Sequence, residues 1–151
     1  MAIERTLLLI KPDAMQRGLA GEIISRLERR GLKIVGIRML KVSKALAQEH
    51  YSEHKGKSFY PGLVAYITSS PIIAAVLEGP GAIGAMRQTM GKTNPLEAET
   101  GSIRGDLGLE KGRNLTHGSD SPKSAKREIG LFFGDMPPIA WKRDTDAWII
   151  E

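Results

Sequence analysis

The stretch TLLLIKPDAMQRGLAGEIISRLERRGLKIVGIRMLKV, residues 6–42, decides the fold of this chain. Residues 6–10 consist of Thr6 and an apolar run at 7–10, which predicts a buried β-strand, and residues 33–42 place Val35, Ile37 and Met39 on one face of a second strand. Between them, residues 22–30 carry apolar side chains at helical spacing and are followed by Gly31, a common helix end. This stretch therefore predicts a β-α-β unit.

A second β-α-β unit is predicted later in the chain, from a strand at residues 72–77, a helix at 80–90 and a short strand at 115–118. Two such units predict an α/β (α+β) fold of the ferredoxin-like βαββαβ type, with helices over one face of a four-stranded antiparallel sheet. Further helices are predicted at residues 43–54, 61–69 and 122–133.

Length and composition indicate one compact domain over residues 1–151, with 41% hydrophobic and 26% charged residues. The chain has no cysteine, which excludes disulfides, thiolate nucleophiles and cysteine-based zinc sites. The apolar run before Lys11 is too short for a signal peptide, and no segment has the length of a membrane span. We therefore expect a cytoplasmic protein with no membrane partner. The net charge of +5 suits an anionic ligand.

Residues 114–120, Asn-Leu-Thr-His-Gly-Ser-Asp, place a histidine directly before a helix start. Ser121 followed by Pro122 is typical of an N-cap and a first helical position. A neutral imidazole can act as a nucleophile, and the free N–H groups at a helix N-terminus favour anions. The position of His117 therefore indicates phosphate chemistry through a phosphohistidine.

Glu128 lies within the apolar stripe of the predicted last helix. That stripe consists of Ala125, Ile129 and Phe132. Because a carboxylate seldom faces a core without a partner, two interpretations are open. Glu128 lies at the edge of the stripe and reaches solvent, or it accepts a hydrogen bond from the His117 ring and fixes which ring nitrogen is free to attack.

The segment at residues 114–120 resembles the active-site signature of the nucleoside diphosphate kinase family. Further resemblances follow in the order expected for that family, and together they cover essentially the whole chain. They are Lys11-Pro12-Asp13, Gln16-Arg17-Gly18-Leu19, His50-Tyr51, Phe59, Gly91-Lys92-Thr93-Asn94-Pro95, Ile103-Arg104-Gly105-Asp106 and Glu128-Ile129-Gly130. The family has the ferredoxin-like fold, which agrees with the elements predicted above.

The resemblance implies transfer of the γ-phosphate from a nucleoside triphosphate to a nucleoside diphosphate by a ping-pong mechanism, through a phosphohistidine at His117. The biological role would be to balance nucleotide pools. Glu128 and Ser119 would hold the histidine, and Tyr51 would lie beside the transferring phosphoryl group. Because stacking on an aromatic ring does not discriminate among bases, specificity for base and sugar would be broad.

Nucleotide binding is assigned by the same resemblance, with the irregular residues 91–113 as a long nucleotide-binding loop. Mg²⁺ would be the cofactor, held through the nucleotide phosphates without a direct protein ligand. Asp120 would either contact it through water or serve only as a negative charge at a helix start. The phosphates would be neutralised by Lys11, Arg87 and Arg104. Thr93 would donate its hydroxyl to the nucleotide. Asn114 would contact the ribose together with Lys11, and Phe59 would stack on the base.

The resemblance also bears on assembly, and the chain departs from the family pattern at two positions. Relatives form hexamers or tetramers, and the Pro95 loop and long C-terminal segment imply a homo-hexamer, with a tetramer as second choice. Trp141 and Trp148 need apolar cover, which predicts a buried tail. Ala14 stands where many relatives have glycine, and Lys111 where many have an apolar residue against the base.

Three patterns suggest other functions. G-x-G-x-x-G at residues 79–84 lies between a strand and a helix, but the chain lacks the acidic residue and the length of a dinucleotide-binding fold. Gly91-Lys92-Thr93 resembles the end of a phosphate loop, but Met86 occupies the position of the required glycine. His50 and His54 fit the zinc-peptidase pattern H-x-x-E-H without an evident third ligand, so we interpret them as an exposed helix end.

Two rival classes of protein explain fewer of these residues than an enzyme does. A basic nucleic-acid-binding module would explain the charge but not His117 or an inward Glu128. An RNA-recognition sheet also needs exposed aromatic residues, and only 5% of this chain is aromatic. A non-enzymatic scaffold is disfavoured because every expected polar residue is present. Nucleic acid is therefore not expected as the main partner.

Overall fold

A four-stranded antiparallel sheet in the order β2-β3-β1-β4 forms the centre of the computed structural model, which describes residues 2–151. The β1 strand pairs along its whole length with β3, and its end pairs with the short β4. This is the predicted ferredoxin-like arrangement. The strands are β1 (Ile3–Ile10), β2 (Lys33–Leu40), β3 (Ile72–Pro80) and β4 (Thr116–Gly118).

Helices connect the strands and are more numerous than the sequence predicted. Within the described residues, none is long and apolar enough to cross a membrane. The α-helices are α1 (Pro12–Gln16), α2 (Ala20–Arg29), α3 (Lys44–His50), α4 (Tyr60–Ile67), α5 (Ala82–Met90), α6 (Ile103–Leu107) and α7 (Pro122–Phe133). Short 3-10 helices occur at Ser52–His54, Pro95–Glu97 and Asp146–Trp148.

The helices cover both faces of the sheet, so the prediction of one covered face is wrong. On β1, Leu8 and Ile10 enter one core while Leu7 and Leu9 enter the other, and all four are fully buried. The α2 and α5 helices close the first core, and α3, α4 and α7 close the second. A strand buried on both faces needs a continuous apolar run, which residues 7–10 provide.

Local differences from the prediction occur around β1 and α3. Residues after Lys11 form the short helix α1, in which Ala14 is fully buried and does not have the positive φ that would favour glycine. The α3 helix ends at His50, and a separate 3-10 turn follows. The irregular loop 91–113 contains α6.

The C-terminal segment is held to β2 but leaves its tryptophans uncovered. The backbone N–H of Ile139 donates to the Val35 carbonyl at 2.8 Å, and the Trp141 indole N–H donates to the Ile34 carbonyl at 2.8 Å. Trp141 is nevertheless 48% exposed and Trp148 is 89% exposed. One chain therefore leaves both tryptophans without apolar cover, and their burial against other subunits of a hexamer stays a prediction.

Candidate active site

His117 lies on β4, opposite Leu9 of β1, and its side chain is 27% exposed. Gly118 allows β4 to lie against α5, since a Cβ there would come within 2.9 Å of the Met86 side chain. Directly after the strand, the Ser121 hydroxyl accepts a backbone N–H from the first turn of α7 at 3.1 Å. The predicted helix start is confirmed, and the histidine is held between a sheet and a helix entrance.

Glu128 faces inward and contacts the histidine. Its Oε2 lies 2.8 Å from Nε2 of His117, and the Ser119 hydroxyl donates to its Oε1 at 2.6 Å. The Ser119 oxygen also accepts the Leu7 backbone N–H at 3.2 Å, which ties the group to β1. Because Glu128 is only 6% exposed, the interpretation in which it reaches solvent is wrong.

The environment of Glu128 keeps the carboxyl ionised. Burial raises its pKa, but hydrogen bonds from His117 and Ser119 and the nearby imidazole charge lower it more, so the net shift is downward. A carboxyl with a lowered pKa stabilises the folded state above its ordinary pKa. That contribution is lost as the pH falls through the lowered value.

His50 lies beside His117 in the core, so its interpretation as part of an exposed helix end is wrong. It is 6% exposed, and its ring packs edge-to-face on His117 and Phe132, with centroid distances of 4.9 and 5.4 Å. Burial and the neighbouring His117 lower the pKa of His50 to about 3. Its Nδ1 has no hydrogen-bond partner among the described residues. No local pattern predicts this contact, because H-x-x-E-H does not tell which side of α3 faces the core.

Tyr51 follows directly and is half-buried against His50, with 4.6 Å between ring centroids. Burial, and then the charge of Glu128, raise the pKa of Tyr51 to about 12. The phenol is therefore neutral near physiological pH and carries a proton that it can donate. It belongs to the same group of side chains as His117.

Lys11 and Asn114 form a second group of predicted site residues. The Lys11 ammonium donates to Asn114 Oδ1 at 2.9 Å, and the Asn114 amide donates to the Thr93 carbonyl at 3.0 Å. Burial, and then repulsion from Arg104, lower the pKa of Lys11 to about 8. The structure thus joins the end of β1, the loop 91–113 and the histidine segment.

Arg104 is a buried cation that holds the segment before His117. Its guanidinium donates to three backbone carbonyl groups: those of Asn114 at 3.1 Å, Gly91 at 3.0 Å and Thr116 at 2.6 Å. Burial, and then repulsion from Arg87, lower its pKa to about 10, which leaves it charged at neutral pH. Arg87 is exposed and donates to the Gly118 carbonyl at 3.3 Å.

The backbone is strained at Leu115, which lies between Asn114 and the segment that carries His117. Its φ of +73° is the only positive value outside glycine among the described residues. Asp13 supports this conformation, because its Oδ2 accepts the Leu115 N–H at 3.0 Å while its Oδ1 accepts the Tyr66 hydroxyl. The Lys11 N–H donates to the Leu115 carbonyl at 2.9 Å. The sequence placed Asp13 in a family motif but indicated no role for it.

Replacing Asp13 with alanine should lower the free energy of unfolding by about 2–3 kcal/mol, because a strained N–H and a part-buried hydroxyl lose their acceptor. Urea denaturation would measure the change. Asp144→Ala, at an exposed position, is the matched control and should stay within about 0.5 kcal/mol of the parent protein. Equal stability of the two variants would contradict the supporting role of Asp13.

The remaining predicted residues lie at exposed positions around these groups. Phe59 is 49% exposed and lines a cavity of about 670 Å³ together with Tyr66 and Arg113. A larger cavity of about 1180 Å³ contains several predicted phosphate contacts, and His117 lines neither cavity. Its predicted nucleotide contacts are Arg87, Thr93 and Arg104, and Lys111 also lines it. Asp120 is exposed.

Fold and site together define a class of protein: a ferredoxin-like domain in which a carboxylate-bound histidine lies on a segment that a buried arginine holds, directly before an anion-favouring helix start. Comparison with known proteins identifies the class further. The family model for nucleoside diphosphate kinase matches residues 4–137. The chain belongs to the nucleoside diphosphate kinase family.

Relatives match over nearly their whole length. A nucleoside diphosphate kinase from Thermomicrobium roseum is 54% identical, covering 98% of this chain and 99% of the relative. One from Staphylococcus haemolyticus is 56% identical, covering 99% and 100%. The solved structure of a halophilic nucleoside diphosphate kinase from Halobacterium salinarum, in complex with CDP, is 48% identical. It superposes with a TM-score of 0.96 and covers 99% of this chain and 100% of that one.

Proposed function

We propose that this protein is a nucleoside diphosphate kinase whose phosphoryl carrier is His117, and that it balances nucleotide pools. The observation that carries the proposal is the contact between Nε2 of His117 and the buried carboxylate of Glu128 at 2.8 Å. Such a contact orients a catalytic imidazole and selects its tautomer. The substrates would be nucleoside tri- and diphosphates, in keeping with the family and with the CDP bound to the Halobacterium relative.

The proposed reaction uses the two ring nitrogens of His117 differently. Glu128 accepts the proton on Nε2, which leaves the lone pair on Nδ1 for attack on the γ-phosphorus. A bond from Nδ1 to phosphorus forms as the bond from phosphorus to the β–γ bridging oxygen breaks, and the nucleoside diphosphate leaves. A terminal phosphate oxygen of a second diphosphate then attacks the same phosphorus and regenerates the imidazole. Ser119 fixes the other oxygen of Glu128 throughout.

The charge on the phosphates is neutralised in this proposal by Lys11, Arg87 and Arg104. Two observations support it: Arg104 keeps its charge in a buried position, and Lys11 is partly buried and close enough to Arg104 for repulsion to lower its pKa. Two cations held together out of water repel each other, and an anion between them removes that repulsion. Arg87 would contribute from the exposed rim.

The nucleoside would be bound by Lys11 and Asn114 at the ribose, Thr93 through its hydroxyl, and the exposed ring of Phe59 at the base. A stacking contact accepts any base, so we propose broad specificity. Tyr51 would lie beside the transferring phosphoryl group.

Mg²⁺ is the proposed cofactor, and the donor set at the site limits how it is held. Mg²⁺ prefers oxygen ligands and keeps several waters. The predicted site residues are mainly basic or amide side chains, which fit nucleotide phosphates, whereas Asp120 is an exposed carboxylate next to Ser119. Bound through the phosphates, the ion would neutralise charge, with Asp120 reaching it through water.

The experiment that tests the function is a labelling and chase. Protein incubated with γ-labelled ATP alone should acquire an acid-labile, alkali-stable label, and several different nucleoside diphosphates should each remove it. Label that stays on the protein in the presence of every diphosphate would contradict phosphoryl transfer. Initial rates should give the parallel-line pattern of ping-pong kinetics.

Glu128→Gln should slow phosphoryl transfer by about one to three orders of magnitude without abolishing it, because the nucleophile remains but its tautomer is no longer selected. Stopped-flow measurement of the first half-reaction would report this step directly. Ser119→Ala removes only the second support of the carboxylate and should have a smaller effect. Unchanged rates in Glu128→Gln would contradict the orienting role.

A homo-hexamer is proposed as the assembled state, with residues 1–151 forming a single domain in each subunit and a cytoplasmic location that suits its nucleotide substrates. Support comes from apolar side chains that one chain leaves exposed: Met39 on edge strand β2 and Trp148 in the tail. Light scattering should give about 99 kDa for six chains of 16.5 kDa. A mass of four chains would favour the tetramer.

A further inference from the structure

His50, His117 and Glu128 bring three potential metal ligands together at one point in the molecule. We propose that they form a binding site for a zinc-like divalent cation, and that the bound cation prevents phosphorylation of His117. The binding site stands on geometry alone, whereas its inhibitory effect rests on the proposed function.

The geometry supplies one ligand atom from each residue, and these three atoms lie within 4.8 Å of one another. A tetrahedral zinc ion with ligand bonds of about 2.0–2.1 Å separates its ligands by about 3.3 Å. The His117–Glu128 contact of 2.8 Å would have to open slightly, and the His50 ring would have to move closer. The His117 side chain is 27% exposed, so its ring is not enclosed on every side. The fourth ligand would be a water, as in zinc sites with three protein ligands.

His50 is the residue that distinguishes this site from the phosphotransfer machinery. It is buried, it lies edge-to-face against His117, and its Nδ1 has no hydrogen-bond partner in the described chain. A buried polar atom without a partner costs free energy, and binding a cation is one way to satisfy an imidazole nitrogen. No step of the proposed phosphoryl transfer uses this side chain.

The ligand set also selects the kind of cation. Two imidazoles and one carboxylate suit Zn²⁺ and Co²⁺, whereas Mg²⁺ prefers oxygen ligands in an octahedral arrangement. The site therefore differs in chemistry from the one proposed for Mg²⁺ on the nucleotide. Cation binding would displace the proton between His117 and Glu128 to solvent and place positive charge on the ring, which weakens it as a nucleophile.

Cobalt binding tests the site without any dependence on activity. Wild-type protein titrated with Co²⁺ in the absence of nucleotide should develop the visible absorption of a tetrahedral cobalt centre at one ion per chain. Calorimetry with Zn²⁺ should give the same stoichiometry. In His50→Leu and His50→Phe, the affinity for Zn²⁺ should fall at least tenfold. Two replacements of different shape are used so that a folding failure in one leaves the other to decide.

His54→Gln is the matched control, because His54 belongs to the same sequence pattern but not to the ligand cluster. It should bind Zn²⁺ as tightly as wild type. Unchanged affinity in the His50 variants, or loss of binding in His54→Gln, would overturn the proposed site, as would a failure of wild-type protein to bind either ion.

The inhibitory effect is measured separately, by the rate of His117 labelling from ATP with and without bound Zn²⁺. Labelling should slow at least tenfold and should recover when a chelator removes the ion. In the His50 variants, the same concentration of Zn²⁺ should have little effect on whatever labelling rate they show. Labelling unaffected by bound Zn²⁺ would overturn inhibition. Absence of labelling in metal-free wild type would instead contradict the proposed kinase mechanism and leave the binding result intact.

Discussion

His117→Ala should lose phosphoryl transfer by four orders of magnitude or more, roughly the loss expected when a catalytic nucleophile is removed. No other described histidine hydrogen-bonds to Glu128, and the neighbouring His50 is buried, with only 6% of its surface exposed. The label from γ-labelled ATP should be absent from this variant, as measured by autoradiography at alkaline pH.

The control for this experiment is the other partly exposed histidine. His54→Gln should keep the label, since His54 lies on a separate 3-10 turn and does not contact His117. Label that persists in His117→Ala would move the nucleophile elsewhere and refute the proposed mechanism. The folded state of His117→Ala should be retained, because its side chain is only partly buried.

Arg104→Met should lower the free energy of unfolding by about 3 kcal/mol and reduce kcat/KM by about two to three orders of magnitude. Methionine fills similar space but provides no donor, so three backbone carbonyl groups around the histidine segment lose their partner. The missing positive charge would also leave the phosphates less neutralised. Denaturant titration and steady-state kinetics would measure the two effects separately.

Arg87→Met separates the effect of losing a positive charge from the effect of losing backbone hydrogen bonds. Arg87 is exposed and makes one long hydrogen bond to the Gly118 carbonyl, so its removal should change the unfolding free energy by less than about 0.5 kcal/mol while still lowering kcat/KM. Arg104→Lys should be intermediate in stability, because one ammonium cannot reach all three carbonyl groups. Equal stability losses in Arg87→Met and Arg104→Met would contradict the structural role of the buried guanidinium.

Several elements of the fold were predictable because their signal is local. The apolar run at residues 7–10 predicted a buried strand, and Ser121 with Pro122 predicted the start of α7; both are present. The boundaries were less accurate, since β3 continues to Pro80 and α5 begins at Ala82. Strand ends depend on pairing with β1, which a single segment does not reveal.

The candidate site was only partly predictable, and the reason differs from residue to residue. Glu128 was identifiable because a charge within an apolar stripe is unusual. His50 was misinterpreted because its partner is His117, sixty-seven positions away, and α3 could have turned either side toward the core. Asp13 had no local signal, because its partner is the backbone of Leu115 on another strand end.

By itself the sequence determined the family, the order of elements and the identity of the phosphoryl carrier proposed here, because these follow from motifs and from periodicity along the chain. Only the tertiary structure decided that both faces of the sheet are covered and that Arg104 holds the histidine segment. It also decided that His50 lies against His117. These features are contacts between distant segments, and their geometry is set by packing, which no stretch of sequence specifies alone.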